Sequence, residues 1–307
     1  MKIVITGGLG FIGRNLARYI RKHDETSQLL CVDWDTEAEE ADHNLFDVSI
    51  TDCFASPDAV FLYKDADVVV HLAATTTVQE SIADPATSFE NNVVKTQFLL
   101  DQLLEIAPKS YFVFASTGGA IIGDFDGPIH ENIAARPVSP YGATKLAVEG
   151  LLSAYSSSYG MPTASMRFSN VYGPNSEKKS SVVATYCKSI IQEEALKVFG
   201  DGTQTRDFVY VDDICNAIWR AIQKRATGTF QLGTGTGTSI SKLIDVFKGH
   251  LKTDALNVEF HDSLLGEVKH NICNIDHAQN SFGYVPEFDL PRGLDRTLRW
   301  FHEHSTA

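Results

Sequence analysis

Long apolar runs are missing from this chain, and so is any excess of basic charge. No stretch approaches the roughly 20 apolar residues needed to span a bilayer, and the chain opens on a strand-like Met1-Lys-Ile-Val-Ile-Thr6 without the layout of a signal peptide. A cytoplasmic protein is the expectation. With 39 acidic against 26 basic side chains, the formal charge of -13 argues against nucleic acid or an anionic membrane as partner. Cysteine is sparse: Cys31, Cys53, Cys187, Cys215 and Cys273 are odd in number, scattered and without Cys-x-x-Cys spacing. That argues against a disulfide framework and a structural zinc site. Metal motifs are equally scarce, since His302 and His304 sit in a polar tail and no HExxH-like spacing occurs.

What is present is a globular composition, 43% hydrophobic and 21% charged over 307 residues, enough for one large domain or two lobes around a cleft. Short apolar runs alternate with amphipathic segments, the pattern of βαβ units. Strands are expected at Lys2–Thr6, Gln28–Asp33, 67–72, 111–116 and Thr163–Phe168, with helices at Phe11–His23 and 86–106. Ile12, Leu16 and Ile20 on the first helix, and Phe89, Val93, Leu100 and Leu104 on the second, form stripes expected to face the core. After Val171 the alternation lapses, and 207–222 and 229–233 read as a helix and strand returning to the first lobe. The reading is an α/β Rossmann-type, doubly wound parallel sheet with a smaller mixed α/β substrate-binding lobe. Residues 1–172, joined by 207–233, form the first unit, and 173–206 with 234–307 the second.

Three local patterns carry chemistry. Thr6-Gly-Gly-Leu-Gly-Phe-Ile-Gly13 follows the first strand and opens the first helix. Gly7 or Gly8 permits the tight turn, Gly10 lets the backbone approach a pyrophosphate, and Gly13 allows close helix–strand packing. Asp33 ends the second strand, where a carboxylate bonds adenosine ribose hydroxyls and repels a 2'-phosphate, so NAD is favoured over NADP. Ser139-Pro-Tyr-Gly-Ala-Thr-Lys145 places Tyr141 and Lys145 four residues apart, with Ser139 as N-cap and Pro140 at the first helical position. An ammonium beside a phenol favours the phenolate, which makes Tyr141 a candidate general base. By itself this spacing also suits a solvated helix face. A second glycine run, Gly233 to Gly237, lacks a following acidic strand end and reads as a connecting loop.

Together, the glycine loop, Asp33 and Tyr141-x-x-x-Lys145 resemble the extended short-chain dehydrogenase/reductase family, most closely its NAD-dependent nucleotide-sugar epimerases of the UDP-glucose 4-epimerase type. The resemblance runs nearly end to end. It implies that Gly7, Gly10, Phe11, Ile12, Gly13 and Asp33 bind the cofactor, with Asp47 and Val48 at the adenine. Leu72, Ala73 and Ala74 of His71-Leu-Ala-Ala74, Asn92 and Phe168 would complete that site. Thr117, Tyr141 and Lys145 would be catalytic, with Tyr141 and Lys145 also holding cofactor. Arg167-Phe-Ser-Asn-Val-Tyr-Gly-Pro174 and Phe199-Gly-Asp-Gly-Thr-Gln-Thr-Arg-Asp207 resemble the nucleotide-sugar segments, which implies Thr117, Asn170, Phe199, Arg206 and Asn271 as substrate contacts. A solvated Arg206 paired with Asp201 or Asp207 is the competing reading.

Family dehydratases place an Asp-Glu pair just after the catalytic Ser/Thr, and the decarboxylases keep a glutamate there. This chain has Gly118 and Gly119, so the resemblance implies 4-epimerisation of a UDP-hexose through a 4-keto sugar. A dehydratase, decarboxylase or other-position epimerase of the same fold is the alternative, and a non-catalytic NAD sensor a further one. Several positions depart from the family pattern. Leu264 stands where a second phosphate-binding arginine is expected, with Lys269 as a candidate substitute. Ile122 replaces a tyrosine. Asn271 replaces a bulky tyrosine found in some members, which implies room for an acetamido group. The family also implies a homodimer through the helices at 86–106 and 140–159.

Overall fold

The computed structural model describes residues 1–253, 255–263 and 268–304. Its strands are β1 (Lys2–Thr6), β2 (Gln28–Asp33), β3 (Val48–Thr51), β4 (Val68–His71), β5 (Tyr111–Thr117), β6 (Thr163–Phe168) and β7 (Asn170–Tyr172). They continue as β8 (Leu196–Phe199), β9 (Thr205–Arg206), β10 (Phe208–Tyr210), β11 (Gly228–Leu232), β12 (Thr238–Ser239), β13 (Val258–His261) and β14 (His270–Asn271). Seven of them form one sheet, in the order β11-β6-β5-β4-β1-β2-β3, and every pairing is parallel. A parallel sheet is covered by helices on both faces, so its central strands are apolar at successive positions. The period of two still sorts them: Ile3, Ile5, Val68, Val70 and Val113 pack into one core, and Val4, Val69, Phe112 and Phe114 into the other.

Strand order reverses between β1 and β4, and at such a switch point the connections leave toward opposite faces and open a crevice at the carboxyl ends of the strands. The glycine loop follows β1 into that crevice. Past β6, the chain alternates between this sheet and smaller ones: β7 pairs with β10, β9 lies between β12 and β14, and β8 pairs with β13. β11 returns to the large sheet beside β6.

The expected strand and helix positions hold closely for β1, β2, β6 and the Phe11–His23 helix. The expected helix at 207–222 instead begins as β10, because Phe208, Val209 and Tyr210 pair in register with β7, and the helix spans Val211–Lys224. β3 was not anticipated. The segment expected as a helix at 86–106 starts at Pro85, capped by Asp84, and contains a π turn at Glu90–Val94 before continuing as Lys95–Ile106. The extra residue of a π turn rotates the helical turns beyond it. Val93 and Leu100 are buried, but Phe89, expected in the core, is 50% exposed, as Val94 and Phe98 are exposed.

Candidate active site

At the carboxyl end of β1 the backbone turns at Gly7, with φ of +71°, a left-handed conformation that glycine adopts without strain. A Cβ at Gly7 would stand 2.7 Å from Ala73 N, and one at Gly13 would stand 2.5 Å from the carbonyl oxygens of Gly7 and Gly8. Helix and loop are therefore in direct contact. The first N–H groups of an α-helix lack intrahelical acceptors, so Phe11, Ile12 and Gly13 offer donors and a favourable dipole to an anion. Asp33 accepts Leu9 N–H at 2.9 Å and Asp35 N–H at 3.1 Å, which fixes its carboxylate beside the loop. Burial pushes its pKa up against the pull of those bonds.

A cavity of about 660 Å³ runs from Gly7, Gly10 and Asp33 past Leu72, Ala73 and Ala74 to Thr117, Tyr141 and Lys145. NAD fits this donor set: a fixed acceptor for ribose hydroxyls, a glycine cradle with free N–H groups for pyrophosphate, and polar side chains at the far end. The wall at 73–77 is pinned from behind. His71 bridges Thr6 Oγ1 at 2.7 Å and Thr96 Oγ1 at 2.9 Å, Thr6 Oγ1 accepts Ala73 N–H, and Asn92 holds the Thr75 backbone by both its amide atoms. Burial pushes His71 down to about 3, so it serves as a neutral brace.

Ser139 caps the Pro140–Tyr159 helix by accepting Gly142 N–H at 3.2 Å. This aims Tyr141 and Lys145 at the end of β5. Lys145 Nζ donates to Ala115 O at 2.8 Å and lies 4.6 Å from the Phe114 ring centroid and 5.9 Å from that of Tyr141. The expected lowering of the tyrosine pKa is not what this arrangement gives: burial raises Tyr141, while burial first and Lys179 second push Lys145 down to about 7. Desolvation is the largest effect on each, and both groups are held toward their uncharged forms.

A second cavity, of about 230 Å³, adjoins the first and shares with it Thr117, Tyr141, Phe168, Ser169 and Asn170. Arg206 and Asn271 line it from β9 and β14, held side by side because those strands pair them in register. Arg206 is buried rather than solvated, and its Nη1 donates to the carbonyls of Thr205 and Lys269. The two aspartates are engaged elsewhere: Asp207 holds Thr234, Gly235 and Cys273 N–H groups, and Asp201 holds Thr203. A Cβ at Gly119 would stand 2.5 Å from Asn271 Nδ2, and one at Gly118 would stand 2.5 Å from Gln231 Oε1.

Several expected contacts lie elsewhere. Asp47 is at the entry to β3, bonded to Leu29 N–H and Arg21, so neither it nor Val48 reaches the cavity. Asp52 and Cys53, just past the other end of β3, line it instead, because the carboxyl ends of parallel strands face the crevice. Asn92 supports the wall without lining it. Phe199 is exposed beside His261, outside both cavities. Ile122 is buried with Ile121, Ile129 and Cys273. Lys269 is exposed and lines neither cavity. Leu264 and the segment to Glu267 lie outside the described residues. Sequence reading also missed Lys178 and Lys179, which line the large cavity from a segment that reads only as a Gly, Pro, Ser and Lys loop.

The profile of the NAD dependent epimerase/dehydratase family matches residues 3–233. A putative UDP-glucose 4-epimerase of Methanocaldococcus jannaschii is 31% identical over 99% of both chains. Among solved structures, the UDP-glucose 4-epimerase of Thermotoga maritima with UDP-glucose superposes with a TM-score of 0.91, at 29% identity and 99% coverage of both chains. The UDP-glucuronic acid 4-epimerase of Bacillus cereus, in complex with UDP-glucuronic acid and NAD, gives 0.90 at 29% identity and the same coverage. Among the described residues no helix is long and apolar enough to cross a membrane.

Proposed function

The chain belongs to the NAD-dependent epimerase/dehydratase family, and from that premise we propose that it inverts the C4 hydroxyl of a UDP-hexose. The observation that carries the proposal is the shared wall, where Thr117 and Tyr141 stand between the dinucleotide cavity and the smaller cavity that ends at Arg206 and Asn271. Bound NAD supplies the two-electron acceptor and donor that interconvert a C4 alcohol and ketone. Tyr141 takes the hydroxyl proton as the ketone forms, acting as the phenolate that a protonated Lys145 favours against the desolvation, with Thr117 sharing the hydrogen bond and Lys145 holding the nicotinamide ribose. The keto sugar turns in the small cavity so that its other face would be presented to the reduced cofactor, and Tyr141 returns the proton to the C4 oxygen.

Elimination needs an acid and a base beside the keto sugar, and the two glycines that replace them are packed against Gln231 and Asn271. The chain carries no acid or base at these two positions, so the dehydratase and decarboxylase alternatives are disfavoured by chemistry. In this reading 1–172 with 207–233 carries the cofactor, and 173–206 with 234–307 carries the nucleotide sugar. Incubation with UDP-, dTDP- and GDP-sugars, followed by NMR, is expected to show interconversion of UDP-glucose and UDP-galactose or of their N-acetylated forms. A 4-keto-6-deoxy product or released CO2 would reassign the reaction. Turnover of UDP-glucose with none of UDP-N-acetylglucosamine would remove the acetamido reading of Asn271.

The same reading includes a homodimer. Phe89, Val94 and Phe98 are exposed apolar side chains on the stretch at 85–106, which packs beside the Pro140–Tyr159 helix, with exposed Tyr159 at its end. Such a patch gains by burial against a second copy. Light scattering is expected to give twice the 33.7 kDa chain mass, and Phe98→Glu to reduce it to one. A monomeric wild type would refute the dimer.

A further inference from the structure

In a chain with a net charge of -13, a diphosphate has to be met by local cations. The family resemblance offers Arg206 and a second arginine, but the second position is Leu264, which carries no charge, and Lys269 lines neither cavity. Three lysines line the large cavity: Lys145, Lys178 and Lys179. Lys178 is engaged with Asp35 at 2.8 Å and Glu37 at 3.8 Å. Lys145 is directed at Ala115 O.

Lys179 differs from both. It is half-buried, its Nζ donates to the neutral hydroxyl of Thr76 at 3.0 Å, and among the described residues no carboxylate lies within ion-pair distance of it. Burial first and the Lys179 ammonium second push Lys145 down, and burial lowers Lys179 itself against the pull of Glu80. Two lysine amines face one cavity, with Glu149 acting on Lys145 and Glu80 on Lys179 but neither ion-paired to them, and that leaves Lys179 placed to meet an anion. The segment that bears Lys179 is also pre-set. Arg14 reaches the Asn175 carbonyl at 3.1 Å and Glu177 at 2.6 Å, Asn15 holds Pro174 O at 2.9 Å, and Lys179 N–H closes on Ser176 O at 2.9 Å. It is thereby tied to the helix that follows the glycine loop, and little ordering cost remains for a ligand.

We propose that Lys179, steered by Thr76, is a diphosphate-binding residue that supplies the cation missing at position 264. The proposal rests on the nucleotide-sugar reading for one of its two possible ligands, the substrate diphosphate, and on the NAD site for the other, the cofactor pyrophosphate.

Two variants and two ligands separate these. Calorimetry measures UDP binding to the NAD-loaded protein, and NAD retained through gel filtration is extracted and quantified. A charge-assisted bond is worth about 1.5–3 kcal/mol, so Lys179→Met is expected to weaken one of the two ligands ~10- to 100-fold with an unchanged melting temperature. Lys179→Arg, which keeps the charge, is expected to restore most of that. Weakened UDP with intact NAD retention assigns the substrate diphosphate, and the converse assigns the cofactor pyrophosphate. Unchanged affinity for both overturns the proposal, as does an equal loss in Lys179→Arg accompanied by a lower melting temperature. A wild type that retains NAD but binds no UDP defeats the nucleotide-sugar reading, and the NAD arm then decides Lys179 alone.

Discussion

Tyr141→Phe is expected to lower turnover by ~10²–10⁴-fold, the usual contribution of a positioned general acid–base, while UDP binding and melting temperature stay close to wild type. The substitution removes one hydroxyl and little else. The contacts that place residue 141 are backbone ones: its N–H donates to Ser81 Oγ at 3.1 Å, and its carbonyl accepts Thr144 Oγ1 at 2.8 Å. In the proposed site the diphosphate is met by Asn170 and Arg206, which the substitution leaves unchanged, so ground-state binding has no reason to fall. A drop in kcat without a matching change in Kd is the mark of an interaction made only in the transition state. Product NMR gives the first quantity and calorimetry the second. Retained turnover would remove Tyr141 from the chemistry. Loss of UDP binding with unchanged residual turnover would place it in the substrate grip instead.

Where the sequence was legible, the chain itself forced the geometry. A glycine loop between a strand and a helix has few ways to fold, and Ser139-Pro140 marks a helix start so strongly that Tyr141 and Lys145 could be placed in its first two turns. Residue-by-residue transfer parted from the cavity lining where register was not forced. Asp47 was assigned to the adenine from a dipeptide resemblance, but the unanticipated β3 spends four residues before reaching the crevice, where Asp52 and Cys53 line the cavity. Phe89 fitted an apolar stripe of period 3.6 and faces outward, because a π turn changes the period. The charge states were illegible for another reason. A neighbouring ammonium predicts a lowered tyrosine pKa, but desolvation depends on how completely the cavity closes around both groups, and that is a property of the packed fold. Lys179 is the extreme case, since its segment has no periodicity and is anchored through contacts of Pro174, Asn175 and Glu177 with Asn15 and Arg14 more than 150 residues earlier in the chain.

Glu149→Ala is expected to destabilise the protein by about 3–5 kcal/mol, the cost of stranding a buried charge by removing its partner. Glu149 lies one turn beyond Lys145 on the Pro140–Tyr159 helix, and its carboxylate receives Arg167 Nε at 3.0 Å, Arg167 Nη2 at 2.7 Å and Ser116 Oγ at 2.6 Å. Both ion-pair members are at most 9% exposed, so water cannot replace the lost partner. The network joins the Pro140–Tyr159 helix to β5, beside Thr117, and to β6, two residues before Ser169 and three before Asn170. Its negative charge also favours the ammonium of Lys145, so its loss moves that pKa further down. Because a buried ion pair gains little over well-packed apolar groups, the double variant Glu149→Leu with Arg167→Met is expected to recover most of the stability lost in Glu149→Ala. Its turnover at neutral pH should nevertheless stay below wild type, since Lys145 has lost the charge that favours its protonated form. Denaturant unfolding of the wild type, the single and the double variant reads the first effect, and the pH dependence of kcat reads the second. A single variant within about 1 kcal/mol of wild type would mean that the site tolerates an unpaired Arg167. A double variant with a wild-type pH profile would separate the brace from the chemistry.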